Sequence, residues 1–158
     1  MFNKGDKIVY PMYGAGVIEG LEEKITDGVT ETYYTLNIPI TNLKIQVSAS
    51  KAEVLGIREV YTGKQVMGIL HGEEFPEEST NANWNQRYKE NLDKIKSGQL
   101  AEVITVFKSL LNREKLRALS SAEKKMLTTA RQIIVSEIMI SQNTGKDEAE
   151  TILINSLT

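Results

Sequence analysis

The sequence predicts an α+β chain of two modules, a small curled β-sheet or barrel followed by a compact all-α domain. Residues 1–72 contain short runs rich in β-branched and aromatic residues, separated by turn signals. Residues 73–80 hold four glutamates and Pro76, a composition typical of an exposed boundary between modules. Beyond this boundary, apolar residues recur at helical spacing. These three observations together predict the two-module layout.

The first module reads as a series of short strands joined by tight turns. We expect strands over residues 7–11, 17–26, 30–38 and 43–48, with a turn over 12–16. Asp27-Gly28 lies between two of these runs and is a strong hairpin signal. The module has too few residues for a β-sandwich, which favours a small Tudor- or SH3-like β-barrel. Residues 62–71 predict a short helix capped by Thr62.

The second module reads as four helices. Tyr88, Leu92 and Ile95 share one face of the first helix, which we expect to end at Ser97-Gly98. The second helix carries a broad apolar stripe at residues 100, 103, 104, 107, 110 and 111. A capping box of Ser120 and Glu123 opens the third helix, and acidic residues open the last one, over 147–157.

Charge is distributed unevenly along the chain. The 158 residues have a formal net charge of −2, yet residues 81–131 contain eleven Lys/Arg and five Asp/Glu. A basic segment inside an acidic protein is the electrostatic footprint of a nucleic-acid surface, although a solvated helical face gives the same count. Both interpretations remain open at this point.

Several classes of function lack the residues that they need. The chain has no cysteine and one histidine, His71, so thiolate metal sites and disulfides are excluded and a histidine-based metal site is disfavoured. We find no phosphate-binding glycine loop and no nucleophile motif. We therefore expect a non-enzymatic protein without cofactor or metal. The start of the chain has no signal-peptide pattern and no segment spans a membrane, which predicts a cytoplasmic protein.

The single tryptophan lies in an unusual setting. Trp84 stands between two asparagines and just ahead of Arg87 and Lys89. Its spacing to Tyr88, Leu92 and Ile95 would let it cap the helical core. Alternatively, Asn83 can cap the start of a helix, which would leave the indole projecting from the helix end.

Three blocks of sequence together resemble one known family. KGDKIVYPMYGAGVIEGLEE, NWNQRYKENLDKIKSG and LSSAEKKMLTTARQIIVSEI, followed by EAETIL, are similar to the CarD/CdnL family of bacterial transcription regulators over nearly the whole chain. The resemblance implies a Tudor-like domain that docks on the β subunit of bacterial RNA polymerase, similar to the polymerase-binding domain of the Mfd translocase. It also implies a helical domain that touches promoter DNA at the upstream edge of the transcription bubble.

Family roles transfer to the positions that match. The resemblance implies that Trp84 is the minor-groove wedge and that Arg87, Lys89 and Lys124 approach the DNA backbone. Lys24 and Gln46 occupy positions where the family can carry arginines that face polymerase. Lys24 keeps the charge without the bidentate fork, whereas Gln46 loses the charge.

The resemblance and the residue patterns lead to one expected function. We expect a Tudor-like RNA polymerase-interacting domain at 1–72, an acidic linker at 73–80 and a helical DNA-binding domain at 81–158. The chain would bind polymerase and promoter DNA, sequence-tolerantly through the minor groove, and stabilise the open promoter complex. The alternative is a protein-interaction module that binds polymerase or another partner without touching DNA. We expect a monomer that joins the nucleoid through polymerase, with a strand-swapped dimer as the alternative.

Overall fold

Five strands form one antiparallel sheet in the N-terminal part of the chain. The computed structural model describes residues 1–72 and 83–157. The strands are β1 (Lys7–Tyr10), β2 (Gly14–Thr26), β3 (Val29–Ile38), β4 (Leu43–Ser48) and β5 (Arg58–Glu59). They lie in the order β4-β3-β2-β1-β5. The Tudor-like β module is confirmed, but the turn predicted over 12–16 is wrong in its second half, because β2 already begins at Gly14.

A long hairpin of β2 and β3 dominates the sheet. Pairing runs from Val17 opposite Asn37 to Thr26 opposite Val29, with a bulge between Ile18 and Gly20 that increases the local twist. At the tip, Asp27 and Gly28 have φ angles of 52° and 78°. Two positive φ angles are what a two-residue primed turn requires, so the Asp-Gly prediction is confirmed.

One face of the sheet covers a small apolar core. Its buried residues are Ile8, Ile18, Tyr34, Leu36, Val47, Ala52 and Ile57. The Tyr34 hydroxyl accepts a hydrogen bond from the Phe2 backbone N–H at 3.0 Å, which satisfies its polar end inside the module.

Five α-helices complete the described structure, together with two short 3-10 helices at Pro39–Thr41 and Ala49–Lys51. The α-helices are α1 (Gly63–Leu70), α2 (Trp84–Lys96), α3 (Leu100–Leu116), α4 (Ser121–Gln142) and α5 (Lys146–Ser156). Thr62 caps α1 and Ser120 caps α4, each within a capping box. The predicted helices and both predicted caps are confirmed, and so is the α+β fold class.

The helices enclose a second, larger core. It is built from α3, α4 and α5, with Ile95 of α2 and with Val66 and Leu70 of α1. Helix α1 therefore packs with the helices that follow it in the chain rather than with the sheet core. The predicted acidic linker at 73–80 lies outside the described residues.

Over the residues that the structure describes, no helix combines the length and the apolar character needed to cross a membrane.

Candidate nucleic-acid interface

Trp84 is the first residue of α2. The Asn83 side chain caps this helix by accepting a hydrogen bond from the Gln86 backbone N–H at 3.2 Å. Trp84 is 40% exposed and is absent from the helical core, whereas Tyr88 and Leu92 pack against that core. Side chains on a helix lean towards its N-terminus and lie over the preceding turn. Because Trp84 is in the first turn, its side chain extends past the end of the helix instead. Trp84 thus projects from a helix end.

Tyr88 supports the indole from one side. The two rings stack with centroids 5.3 Å apart and planes 14° from parallel. They are neighbours because residues four apart lie on one helical face. An incoming aromatic group would therefore stack on the opposite face of the indole.

Glu123 holds the polar edge of the indole. Trp84 Nε1 donates to Glu123 Oε1 at 3.4 Å, and the Ser120 backbone N–H and hydroxyl donate to the same oxygen at 3.4 and 3.1 Å. Arg113 Nε lies 3.9 Å from the other carboxylate oxygen. One carboxylate therefore closes the α4 capping box and fixes the tryptophan 39 residues away in the chain.

The surroundings of Glu123 keep it ionised. Burial alone would raise the pKa of this carboxyl, but the Ser120 N–H, the indole N–H, the Ser120 hydroxyl and the charge of Arg113 outweigh burial. The pKa of Glu123 therefore lies below its ordinary value. A charged acceptor strengthens the hydrogen bond to the indole.

Arg87 lies beneath the surface rather than on it. It is 6% exposed, and burial lowers the pKa of its guanidinium, with the nearby charges of Arg113 and Arg117 acting in the same direction. Glu123 acts in the opposite direction and favours the charged form. Arg87 thus belongs to the cluster of charged residues around Glu123, next to Trp84. Its burial favours a structural role, because a contact with a DNA phosphate requires an exposed cation.

The two lysines expected to face DNA are both exposed but lie in different places. Lys124 directly follows Glu123 in the first turn of α4, and successive side chains on a helix are about 100° apart. Lys89 is five residues after Trp84, which places it about 140° around α2 from the indole.

Four further residues belong to this candidate site: Arg113, Arg117, Ser120 and Glu123. The sequence shows two of them as a capping box and the other two as cations four apart near the end of α3. Neither pattern indicates contact with Trp84, because these residues come from α3 and α4. Only packing of α2 against these helices brings the set together.

Lys24 and Gln46 meet on the exposed face of the sheet. Lys24 Nζ donates to Gln46 Oε1, and Gln46 Nε2 donates to Glu22 Oε2 at 2.7 Å. The Lys24 ammonium also lies 4.9 Å from the centre of the Tyr33 ring. The neutral amide of Gln46, on β4, thus bridges a cation and an anion that both lie on β2.

The outer part of the β2–β3 hairpin offers a free strand edge. Among the described residues, β1 pairs with β2 only over residues 14–17, so residues 20–26 of β2 have a neighbouring strand on one side alone. Leu21 and Ile25 lie on the same face of this segment and are 42% and 75% exposed. An exposed edge with apolar side chains is suited to strand addition by a partner.

Comparisons with known proteins cover both modules. Residues 2–61 match the family model described as CarD-like/TRCF RID domain, and residues 65–154 match the model described as CarD, C-terminal domain. A Bacillus subtilis (strain 168) protein that carries the name "Putative transcription factor YdeB" is 39% identical over 140 residues, which is 89% of this chain and 92% of that protein.

Proposed function

Because the chain belongs to the CarD family of transcription regulators, we propose that it binds the β subunit of bacterial RNA polymerase and stabilises the open promoter complex without acting as an enzyme. In this proposal the β module docks on polymerase, and Trp84 wedges into the minor groove at the upstream edge of the bubble. The observation that carries the proposal is the placement of Trp84, 40% exposed at a helix end and held by Tyr88 and Glu123.

A wedged indole is strong enough to change promoter lifetimes. Apolar side chains inserted from the minor groove partly unstack a base step and kink the duplex. Stacking of an aromatic side chain on a base is worth about 1 to 3 kcal/mol, which corresponds to a roughly five- to 150-fold longer lifetime. The gain appears only if the indole stacks in the open state and not on closed duplex.

Phosphate contacts supply a weaker contribution. Lys124 and Lys89 are exposed, and a few such lysines give weak, salt-sensitive binding that tolerates any sequence. The helical module alone would therefore be a poor promoter finder. Attachment to a docked β module raises its local concentration at the bubble, so polymerase supplies the specificity.

The β module has the features that polymerase docking requires. The free edge of β2 over residues 20–26 can accept a strand from the partner, with Leu21 and Ile25 adding apolar contact. Lys24 provides one positive charge beside that edge, while Gln46 is neutral. Docking in this chain therefore depends more on strand pairing than on ion pairs.

The proposal is tested by the lifetime of open promoter complexes formed by the cognate bacterial polymerase. The lifetime is measured without added protein, with wild-type protein, with Trp84→Ala and with Tyr13→Ala. Tyr13 is a matched control because it is a 46% exposed aromatic residue on the β1–β2 loop. Circular dichroism verifies that both variants are folded.

We expect the wild-type protein and Tyr13→Ala to lengthen the lifetime and Trp84→Ala to lose most of the effect.

The alternative function is a polymerase-binding interaction module without DNA contact. Two contacts of the indole favour this alternative. Its N–H already donates to Glu123, and one of its faces already stacks on Tyr88. Polymerase binding with an unchanged lifetime would establish that alternative.

A further inference from the structure

A buried ion pair joins the sheet to the helices. Arg58 on β5 donates from both terminal nitrogens to Glu137 on α4, with distances of 2.7 and 2.9 Å. The Glu137 side chain is 1% exposed and that of Arg58 is 16% exposed. A bidentate fork fixes direction as well as distance, so this pair constrains how β5 lies against α4.

The neighbours of this ion pair complete its hydrogen bonding. The Tyr61 backbone N–H donates to Glu137 Oε2 at 3.1 Å, and Arg58 Nε donates to the Gly98 carbonyl at 2.9 Å. The Arg58 guanidinium also lies 4.4 Å from the centre of the Tyr61 ring. Arg58 thus connects the sheet to α4 and to the α2–α3 turn at once.

One more hydrogen bond joins the sheet to the same helix, and another joins the start of α1 to it. The Ala15 backbone N–H donates to Ser136 Oγ at 2.8 Å, and Gln142 Nε2 donates to the Gly63 carbonyl at 2.9 Å. Gly14 has a φ of +115°, and a Cβ there would lie 2.6 Å from Ser136 Oγ. The absence of a side chain at Gly14 therefore allows β2 to approach α4 this closely.

Helix α4 carries contacts of two kinds. Glu123 in its first turn holds Trp84, and Glu137 holds Arg58 of the sheet. The two glutamates are fourteen residues apart, which is about 21 Å along an α-helix. A continuous helix of this length links the orientation of the sheet to the position of the indole.

We propose that the Arg58–Glu137 pair is a positioning element that holds the two modules in one orientation, so that docking of the sheet on polymerase determines where Trp84 meets DNA. This inference rests on the proposed function. Buried ion pairs add little net stability compared with apolar replacements, and their best-attested use is to specify one arrangement among several. A flexible tether would only raise local concentration, whereas a fixed orientation also sets the position of the wedge along the DNA.

The first test measures module orientation in the full-length protein alone. Trp84 is the only tryptophan and the chain has no cysteine, so a Glu23→Cys substitution on β2 accepts a single fluorescent acceptor for energy transfer from Trp84. Time-resolved transfer yields the distribution of donor–acceptor distances. The test variant combines Arg58→Met with Glu137→Met, which removes the pair without leaving a buried charge unpaired.

A matched control removes a pair of the same chemistry that lies inside one module. Arg131 and Glu150 are 3.7 Å apart on α4 and α5, and the control combines Arg131→Met with Glu150→Met. A third variant, Arg58→Lys, keeps the charge but loses the fork. If circular dichroism shows that the double methionine variant is unfolded, Arg58→Lys is compared with the wild type in its place.

We expect a narrow distance distribution for the wild-type and control proteins and a broad one for the double methionine variant, with Arg58→Lys between them. Unlabelled proteins are then compared for β-subunit binding, which should not change. Their open-complex lifetimes should fall about two- to thirtyfold in the double methionine variant, which corresponds to coupling changes of about 0.5 to 2 kcal/mol.

Two results would overturn the inference. One is a folded double methionine variant whose distance distribution matches the wild type, and the other is a broad distribution with a wild-type lifetime. If the wild-type protein itself leaves the lifetime unchanged, the proposed function fails. The distance distributions then decide, on their own, whether the pair orients the modules.

Discussion

At the scale of single residues, Glu123 is the most constrained group near Trp84. Its carboxylate accepts hydrogen bonds from Ser120 at the helix cap and from the indole, and it lies 3.9 Å from the Arg113 guanidinium. The indole is therefore held in the free protein, which would limit the rotamer entropy lost in the DNA contact that we propose. Replacing Glu123 should affect the state of Trp84 before any partner is present.

The depressed pKa of Glu123 predicts an acid-dependent release of Trp84. Because the folded-state pKa lies below the ordinary value of about 4.3, the stabilising contribution is complete above that pH and is lost as the pH falls through the folded value. We expect Trp84 emission to stay constant from neutral pH to about 4.3 and then to shift to longer wavelength.

The control for this titration is Glu123→Gln, which keeps an acceptor oxygen but does not titrate. Its emission should be independent of pH over the range in which circular dichroism shows folded protein. An identical shift in this variant, or a wild-type shift centred above the ordinary glutamate pKa, would contradict the assignment.

Because Arg87 is buried and Lys124 is exposed, we expect alanine at position 87 to reduce stability and alanine at position 124 to reduce DNA binding. Arg87→Ala removes a buried guanidinium and should lower the free energy of unfolding by about 1 to 3 kcal/mol, whereas Lys124→Ala should change it by less than about 0.5 kcal/mol. Lys124→Ala should instead reduce the salt slope of DNA binding by about 1. Urea unfolding and DNA anisotropy at several salt concentrations measure the two effects. A stability loss confined to Lys124→Ala would reverse the assignment.

The sequence predicts part of this site and not the rest. Asn83 as a helix cap and Trp84 at a helix start follow from local patterns, because capping involves residues within one turn. The Trp84–Glu123 contact and the burial of Arg87 depend on the packing of α2 against α3 and α4. No local pattern in the sequence encodes those distances.

At the scale of secondary-structure elements, the β2–β3 hairpin is the element most suited to a partner. Its turn follows from Asp27-Gly28, which the sequence predicts, whereas the bulge between Ile18 and Gly20 does not. Strand β5 was not predicted, because two residues form no recognisable period and are defined only by pairing with β1. Local signals therefore identify the hairpin that we propose for docking, but not the strand that carries Arg58.

Lys24 provides a test of docking on this hairpin. Lys24→Glu places a negative charge beside Glu22 and removes the donor to Gln46. Exposed charge pairs are worth at most about 1 kcal/mol, so β-subunit binding should weaken by up to about fivefold. Lys7→Glu on β1 is the control with the same charge change, and binding is measured by surface plasmon resonance. Equal losses in the two variants would indicate a general charge effect rather than a contact at Lys24.

The effect of the α4 capping box on stability can be measured separately from the contact between Glu123 and Trp84. Ser120→Ala removes the cap and should cost about 1 kcal/mol of stability, while Glu123 keeps its contact with the indole. Thermal unfolding should therefore show a lower midpoint with unchanged Trp84 emission at neutral pH. A shifted emission spectrum would mean that the cap also positions Glu123.

At the scale of the whole molecule, the net charge of −2 conceals a basic segment that the fold concentrates in the helical module. The sequence predicts both modules and their order. It does not predict the interface between them, because that interface joins residues far apart in the chain, namely apolar side chains such as Met12 and Ile40 that pack against the helical core, and polar pairs such as Arg58 and Glu137. Their partners are specified by tertiary structure alone.

The apolar and polar contacts between the modules predict that the two modules unfold together. Differential scanning calorimetry of the wild-type chain should show one transition whose calorimetric and van't Hoff enthalpies agree. The variant that combines Arg58→Met with Glu137→Met should show two transitions or a reduced enthalpy ratio. Two transitions in the wild-type chain would show that the modules are energetically independent.

The close approach of Gly14 to Ser136 limits how the two modules can vary in sequence. A side chain at position 14 would collide with Ser136, so a change at one of these positions requires an accommodating change at the other. The same holds for Arg58 and Glu137. We therefore expect the two modules to change as a matched pair, and a chimera of two relatives should keep the orientation of Trp84 relative to the sheet only if both sides of this interface come from the same parent.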